Sequence, residues 1–263
     1  MSQTGESPSS EQLSESELRV RQHGLFLLEK NLPEYVGGEH IQDEIRSSRI
    51  HFFPVTGPVG VGKTAITSLA ATIRADAPMH LIDTITTRAG KPSDPPGFLT
   101  ADHGITLESL QNEIANHNLV NYSVIRKTGQ VYATAADGFK PGLNTGPVTS
   151  SNIETFLKYN FDEFAPIYII SPVEMWSRFL KKSVGERPDL ISDRADESIE
   201  SLEFAKANLD LFKFIDNIEG GLEHAAHNLV SIATHGSYPI ILPEYAEARI
   251  DKMIAEAKRL SVQ

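Results

Sequence analysis

The run Gly57-Pro58-Val59-Gly60-Val61-Gly62-Lys63-Thr64 constrains this chain more than any other feature. It matches GxxxxGK[ST], a pattern in which glycines let consecutive backbone N–H groups turn inward as an anion nest while the following helix directs its partial positive end at the same point. The flanks suit it. An apolar stretch from Arg49 to Thr56 predicts a buried strand before the loop, despite Pro54, and Lys63 to about Ala75 predicts a helix after it. Gly57, Val59, Gly60, Val61, Gly62, Lys63, Thr64 and Ala65 are therefore the candidate triphosphate-binding residues. Lys63 is placed to reach the β- and γ-phosphates and Thr64 to ligate Mg²⁺. A glycine-rich turn with a solvated lysine is the plainer alternative, but the bare pattern arises by chance in only roughly one chain in a hundred of this size.

The 263 residues include 35 acidic and 24 basic side chains, for a formal charge of −11. That balance disfavours general nucleic-acid binding, which rests on Lys and Arg neutralising phosphates. With 40% hydrophobic residues the chain can bury a sizeable core. It has no cysteine, which removes disulfides, thiolate nucleophiles and Cys-ligated zinc from consideration. No run of about 18 apolar residues is present and the N-terminus is polar and acidic, so neither a membrane span nor a secretory signal is expected, and the cytoplasm is the expected location.

Residues 1–10 read as a flexible tail, and 11–48 as a helix (Glu11 to Lys30) with a linker containing Gly37-Gly38. The stretch 49–235 reads as one α/β domain with a parallel sheet core in three layers. Within it, Met79 to Ile85 predicts a strand, and about 86–146 predicts a small inserted subdomain with a helix (Leu107 to His117) and two strands, Leu119 to Ile125 and Gln130 to Thr134. Helices at Ser151 to Leu157, after Pro172, at Glu197 to Leu211 and at Gly221 to Ile232 then alternate with strands Ala165 to Ser171 and Phe212 to Ile218. Residues 236–263 hold a last helix, Glu244 to Leu260, that reads as an appendage beyond Gly236-Ser237-Tyr238-Pro239. The terminal helices suit either a dimer interface or a cover for the sheet, and a monomer and a homodimer both stay open.

An NKxD base-recognition motif, which a GTPase would carry, is missing, and no apolar strand closes on adjacent acidic residues as in an ATP-driven remodelling machine. From about Arg49 to Ile232 the chain resembles the guanylate kinases, nucleoside monophosphate kinases of the P-loop class. Besides the loop, Thr84-Ile85-Thr86-Thr87-Arg88 resembles the family's Ser-x-x-Thr-Thr-Arg segment, and Gly129-Gln130-Val131-Tyr132-Ala133-Thr134 its Gly-Asn-x-Tyr-Gly-[ST] segment. The stretch Ile169-Ile170-Ser171-Pro172, Arg178, a polar excursion, Glu197-Ser198-Ile199 and Phe214-Ile215-Asp216-Asn217 follows the family's strand, lid, helix and base-side loop. The resemblance implies an ATP- and Mg²⁺-dependent kinase with a P-loop fold, an acceptor subdomain and a lid at about 178–196. It also implies acceptor-phosphate contacts from Thr84, Arg88, Lys91, Tyr132 and Thr134, and a place for Asn217 near the adenine.

Several positions depart from the family. Lys91 stands where a second arginine is expected, keeping the charge but losing the bidentate fork. Ser123 falls near the guanine-reading glutamate, Asn144-Thr145-Gly146 replaces an acidic strand end, and Glu203 replaces a helix arginine. Phosphate-holding groups persist while base-reading groups thin out, so a phosphorylated acceptor other than GMP fits best, GMP being the family default and a sugar phosphate an alternative. A guanylate-kinase-like binding module without catalysis is the rival from another class.

The basic run from Arg178 to Arg194 in an acidic chain reads as the lid, with Arg178, Arg187 and Arg194 the candidate catalytic arginines beside Lys63, because guanidinium pairs bidentately with phosphate oxygens. A solvated helix face is the plainer reading for any one of them. Asp83 and Asp137 are candidate Mg²⁺ or water ligands for which a helix cap is the plainer reading, and Tyr132 equally suits surface packing. His224 and His227 make an incomplete metal pair, and Trp176 reads as packing.

Overall fold

A computed structural model describes residues 15–73, 78–92, 94–125, 128–185, 188–236 and 241–262. In chain order its elements are α1 (Glu15–Asn31), α2 (Glu39–Ser47), β1 (Ile50–Thr56), α3 (Lys63–Thr72), β2 (Met79–Leu81), β3 (Thr84–Thr86), β4 (Phe98–Leu99), α4 (Leu107–Ala115), β5 (Leu119–Ile125), β6 (Gln130–Ala135) and β7 (Gly142–Pro147). There follow α5 (Ile153–Phe156), β8 (Glu163–Phe164), β9 (Ile167–Ile170), α6 (Val173–Val184), α7 (Ile191–Ala207), β10 (Lys213–Asp216), α8 (Leu222–His235) and α9 (Pro243–Ser261).

Among the described residues the main sheet runs β10-β9-β1-β7-β2, all parallel, with β8 also pairing β1. β1 carries Phe52, Phe53 and Val55 with no exposed surface, as a central parallel strand covered on both faces requires. From β1 the chain passes through α3 to β2 on one side, and from β9 through α6 and α7 to β10 on the other. Right-handed crossovers in opposite directions put these helices on opposite faces, so the fold is mixed α/β with a parallel core between helical layers. The carboxyl end of β1, at the reversal, is where such sheets hold their sites.

The chain does not continue one strand from Met79 to Ile85. It breaks at Ile82-Asp83 and leaves the main sheet for a second one, ordered β4-β3-β6-β5. Asn144-Thr145-Gly146, expected at a strand end, lies within β7, which runs between β1 and β2 although its Gly, Asn and Pro content gives little β signal. α2, which turns only Ile41 and Ile45 inward, stands where a linker is expected.

The terminal helices both cover apolar surface. α1 and α4 lie on the small sheet, where Leu28, Leu110, Ile114, Tyr122 and Val131 form a core of their own. Tyr122 donates its hydroxyl to the carbonyl of Leu28 at 2.7 Å, and burial pushes that hydroxyl's pKa up to about 12. α9 is not an appendage. It packs along α7 and against α6, with Ile250, Met253, Ala257 and Leu260 fully buried, because its apolar residues recur at helical spacing. The expected tail at 1–10, the start of the first helix, Arg126-Lys127 of the hairpin connection, the end of α3's expected span and most of the linker at 236–239 lie outside the described residues.

Candidate functional site

The glycine-rich loop leaves β1 through Gly57 and enters α3 at Lys63. Gly60 and Gly62 have φ of +77° and +98°, which a side chain would strain. Space tightens the requirement: a Cβ on Gly60 would lie 3.1 Å from the backbone of Leu180 on α6, and one on Gly62 would lie 2.9 Å from the Asn217 amide. Three polar side chains from distant elements hold the loop. Trp176 Nε1 donates to the Val59 carbonyl at 2.8 Å, Val59 N–H donates to Ser198 Oγ at 3.1 Å, and Asn217 Nδ2 donates to the Val61 carbonyl at 2.9 Å. Trp176 therefore does more than fill space, and Asn217, expected beside an adenine, is a buried strut beneath the loop.

Lys63 turns back on its own loop, donating from Nζ to the carbonyls of Gly57 at 2.7 Å and Pro58 at 2.9 Å. Desolvation lowers its pKa to about 8, opposed by the Glu197 carboxylate and assisted by the Arg194 guanidinium. Arg194 pairs with Glu197 at 2.7 Å on α7, so the ion pair faces the loop lysine. Beneath the end of β1, hydroxyls of Thr56, Ser150, Ser201 and Tyr168 join at 3.0, 2.7 and 3.0 Å, fixing the 3₁₀ turn Ser150–Asn152.

A cavity of about 720 Å³ opens in front of the loop. Its loop end has Val59, Gly60, Lys63 and Thr64; its far side, built from the small sheet, has Thr84, Arg88, Lys91, Tyr132 and Thr134. Residues expected to hold a donor and an acceptor thus line one space. Among the described residues, the charged ones lining it are Lys63, Arg88, Lys91, Arg194 and Asp94: four cations to one carboxylate, in a chain of formal charge −11. That concentrates positive potential where an anion would enter.

The exceptions have physical causes. Arg178 sits on the solvent side of α6 and pairs with Glu219 at 2.9 Å, both largely exposed, because Trp176 and Leu180 take the buried side. It does not line the cavity. Arg187 lies outside the described residues. Glu203 faces α9, pairing with Lys258 at 3.3 Å. Asn144 is wholly buried, donating to the carbonyls of Lys140 and Gly142 and accepting from Lys140 N–H, so it clamps the entry to β7 and does not line the cavity. Asp83 and Asp137 neighbour one another away from the cavity lining; burial raises the Asp83 pKa and Lys140 opposes it. His224 and His227 are both exposed on α8.

Two features escaped sequence reasoning. Asp94, six residues beyond Arg88, takes both guanidinium nitrogens of that arginine at 2.8 and 2.5 Å, while Arg88 also lies over the Phe98 ring at 4.8 Å. The Asp94 hydrogen bond is the first cause of the raised Arg88 pKa, and Arg88 in turn holds the Asp94 carboxyl below the usual range. A phosphate seeking that fork meets a carboxylate already in it. The second is a set of buried polar atoms with no partner among the described residues: Asn121 Oδ1, Ser123 Oγ and Asn152 Oδ1, all on residues lining the cavity.

The left-handed glycines, the start of α3 at Lys63 and the Lys63 ammonium suit a triphosphate, while the Val59 and Val61 N–H groups are held by Ser198 Oγ and the Pro58 carbonyl. For Mg²⁺ the exposed Thr64 beside them offers a hydroxyl. Among the described residues no group of three or more His, Cys, Asp or Glu gathers to hold a metal, and Mg²⁺ bound mainly through phosphate oxygens and water needs few protein ligands.

No family model matches the chain, and no curated protein matches it. Among solved structures, a guanylate kinase from Anaplasma phagocytophilum is similar over 71% of this chain and 86% of its own, at 14% identity and a TM-score of 0.46.

Proposed function

We propose that this protein is an ATP- and Mg²⁺-dependent phosphotransferase that moves a γ-phosphoryl group to a small acceptor already bearing a phosphate. The observation that carries this is that one cationic cavity has Lys63 and Thr64 at one end and Arg88, Lys91 and Tyr132 at the other. Phosphoryl transfer needs little covalent chemistry from a protein; it needs two substrates in line and charge on the migrating group neutralised. Here the loop amides and Lys63 would hold the donor, Thr64 would supply one Mg²⁺ ligand, and Arg194 would face the migrating group from α7. Lys63 would leave the Gly57 and Pro58 carbonyls for phosphate oxygens. Lys91, Thr84, Tyr132 and Thr134 would take the acceptor phosphate, joined by Arg88 once Asp94 yields. The nucleoside monophosphate GMP is one candidate acceptor, although Ser123 offers no carboxylate to guanine.

A non-catalytic binding module is favoured by one specific feature, the Arg88 fork closed by Asp94. A coupled ADP-release assay over GMP, AMP, UMP and sugar phosphates separates the two. Acceptor-dependent ADP release that disappears in Lys63→Ala supports the kinase; ATP binding without release over the whole set supports the module.

A further inference from the structure

The hairpin β5–β6 has two unlike faces. Tyr122 pairs with Ala133 and Val124 with Val131 on one face, which α1 and α4 cover. On the other, Asn121 pairs with Thr134 and Ser123 with Tyr132, and this polar face is turned into the cavity. Polar side chains on a strand ordinarily mark its solvent side. Here Asn121 and Ser123 are 1% and 3% exposed. Asn152, 6% exposed, joins them from the turn that packs against β5. Among the described residues Asn121 Oδ1, Ser123 Oγ and Asn152 Oδ1 find no hydrogen-bond partner. Leaving such atoms dry is costly unless something brought to the site completes them.

Their chemistry limits what that can be. An amide oxygen gains nothing from a phosphate oxygen, since both only accept. Such neutral oxygens can ligate a cation, but no carboxylate stands among these three and Lys63, Arg88, Lys91 and Arg194 line the same cavity and repel one. A nucleobase edge presents a fixed order of donors and acceptors and wants a flat apolar slot; of the aromatic rings lining the cavity, Phe98 already lies under the Arg88 guanidinium. A hydroxyl both donates and accepts. It satisfies a serine oxygen and satisfies either end of an asparagine amide, whichever way the amide is turned.

We propose that Asn121, Ser123 and Asn152 form a wall that reads the hydroxyl groups of a phosphorylated sugar. This rests on the phosphotransferase reading for the place of the acceptor phosphate, near Lys91, Tyr132 and Thr134.

Calorimetric titration of the full chain, with Mg²⁺ and a non-hydrolysable ATP analogue present, tests it with ribose 5-phosphate, glucose 6-phosphate, GMP and inorganic phosphate as probes. At least one sugar phosphate should bind ten times or more tightly than inorganic phosphate and more tightly than GMP. Ser123→Ala and Asn121→Leu should each weaken that sugar phosphate about tenfold, the size of one lost hydrogen bond, with inorganic phosphate unchanged. Melting temperatures of the unliganded variants should hold or rise, because each substitution removes an unsatisfied group; a variant that melts early is replaced by Asn152→Leu. GMP binding more tightly than both sugar phosphates, both sugar phosphates binding no better than inorganic phosphate, or unaltered sugar-phosphate affinity in folded variants overturns the proposal. Binding of the ATP analogue, read in the same samples, reports separately on the phosphotransferase reading.

Discussion

Lys63 carries the sharpest consequence at the scale of single residues. Its pKa is lowered to about 8 by desolvation, so the unfolded chain binds this proton more tightly than the folded one. Below pH 8 the lysine is charged in both states and its burial weakens the fold; raising the pH through 8 toward the unfolded value relieves that, so this group makes stability rise with pH. Nucleotide binding should run the other way. A triphosphate favours the ammonium, so the affinity for an ATP analogue should fall as pH rises above about 8, with proton uptake visible as a buffer-dependent binding enthalpy at pH 8.5. Affinity flat to pH 10 would remove Lys63 from the phosphate contacts. Asp94 gives a second prediction. Asp94→Asn should weaken a mostly buried ion pair and lower stability by about 1–3 kcal/mol, yet strengthen inorganic phosphate binding several-fold by opening the Arg88 fork. If phosphate binding falls with stability in calorimetry, Asp94 is a strut for Arg88 and not its competitor.

Elements show where sequence was legible and where it was not. β5 has the bounds its alternating pattern predicts, and β6 differs by one residue, because a two-faced hairpin writes its period into the chain. The same alternation could have exposed the cavity wall, since Asn121 and Ser123 fall on the face opposite Tyr122 and Val124. The extent of β7 beyond its expected end at Asn144-Thr145-Gly146 and the break between β2 and β3 left no such mark. One is a strand by position in the sheet despite its composition, and the other is a change of partner within an apolar run. The glycine loop was plain in the sequence, but its dependence on α6 was not, because Gly60 meets Leu180 across a separation of 120 positions. Gly60→Ala forces a side chain into left-handed backbone at about 1–2 kcal/mol and against the backbone of α6. It should lower stability by at least that much in denaturant titration and weaken nucleotide binding more than tenfold; binding at wild-type strength would mean that the loop does not need its close contact with α6.

The molecule as a whole is tied together by its ends. α1 closes the apolar face of the small sheet, leaving the polar face for the cavity, and α9 closes the outer side of α6 and α7, the two helices that brace the loop. Met253 is fully buried in that contact, so Met253→Ala should cost about 2–5 kcal/mol, readable as an earlier denaturant midpoint; a loss below 1 kcal/mol would restore α9 to an appendage. The central claim is that the loop and Lys63 hold a triphosphate in this cavity. Thermal or denaturant unfolding of the full chain, with and without Mg²⁺ and a non-hydrolysable ATP analogue, tests it most directly. A ligand at a hundred times its dissociation constant should stabilise the wild type by about 2.7 kcal/mol, and Lys63→Ala should lose most of that gain. No stabilisation of the wild type at millimolar analogue, or equal stabilisation of the variant, would contradict it.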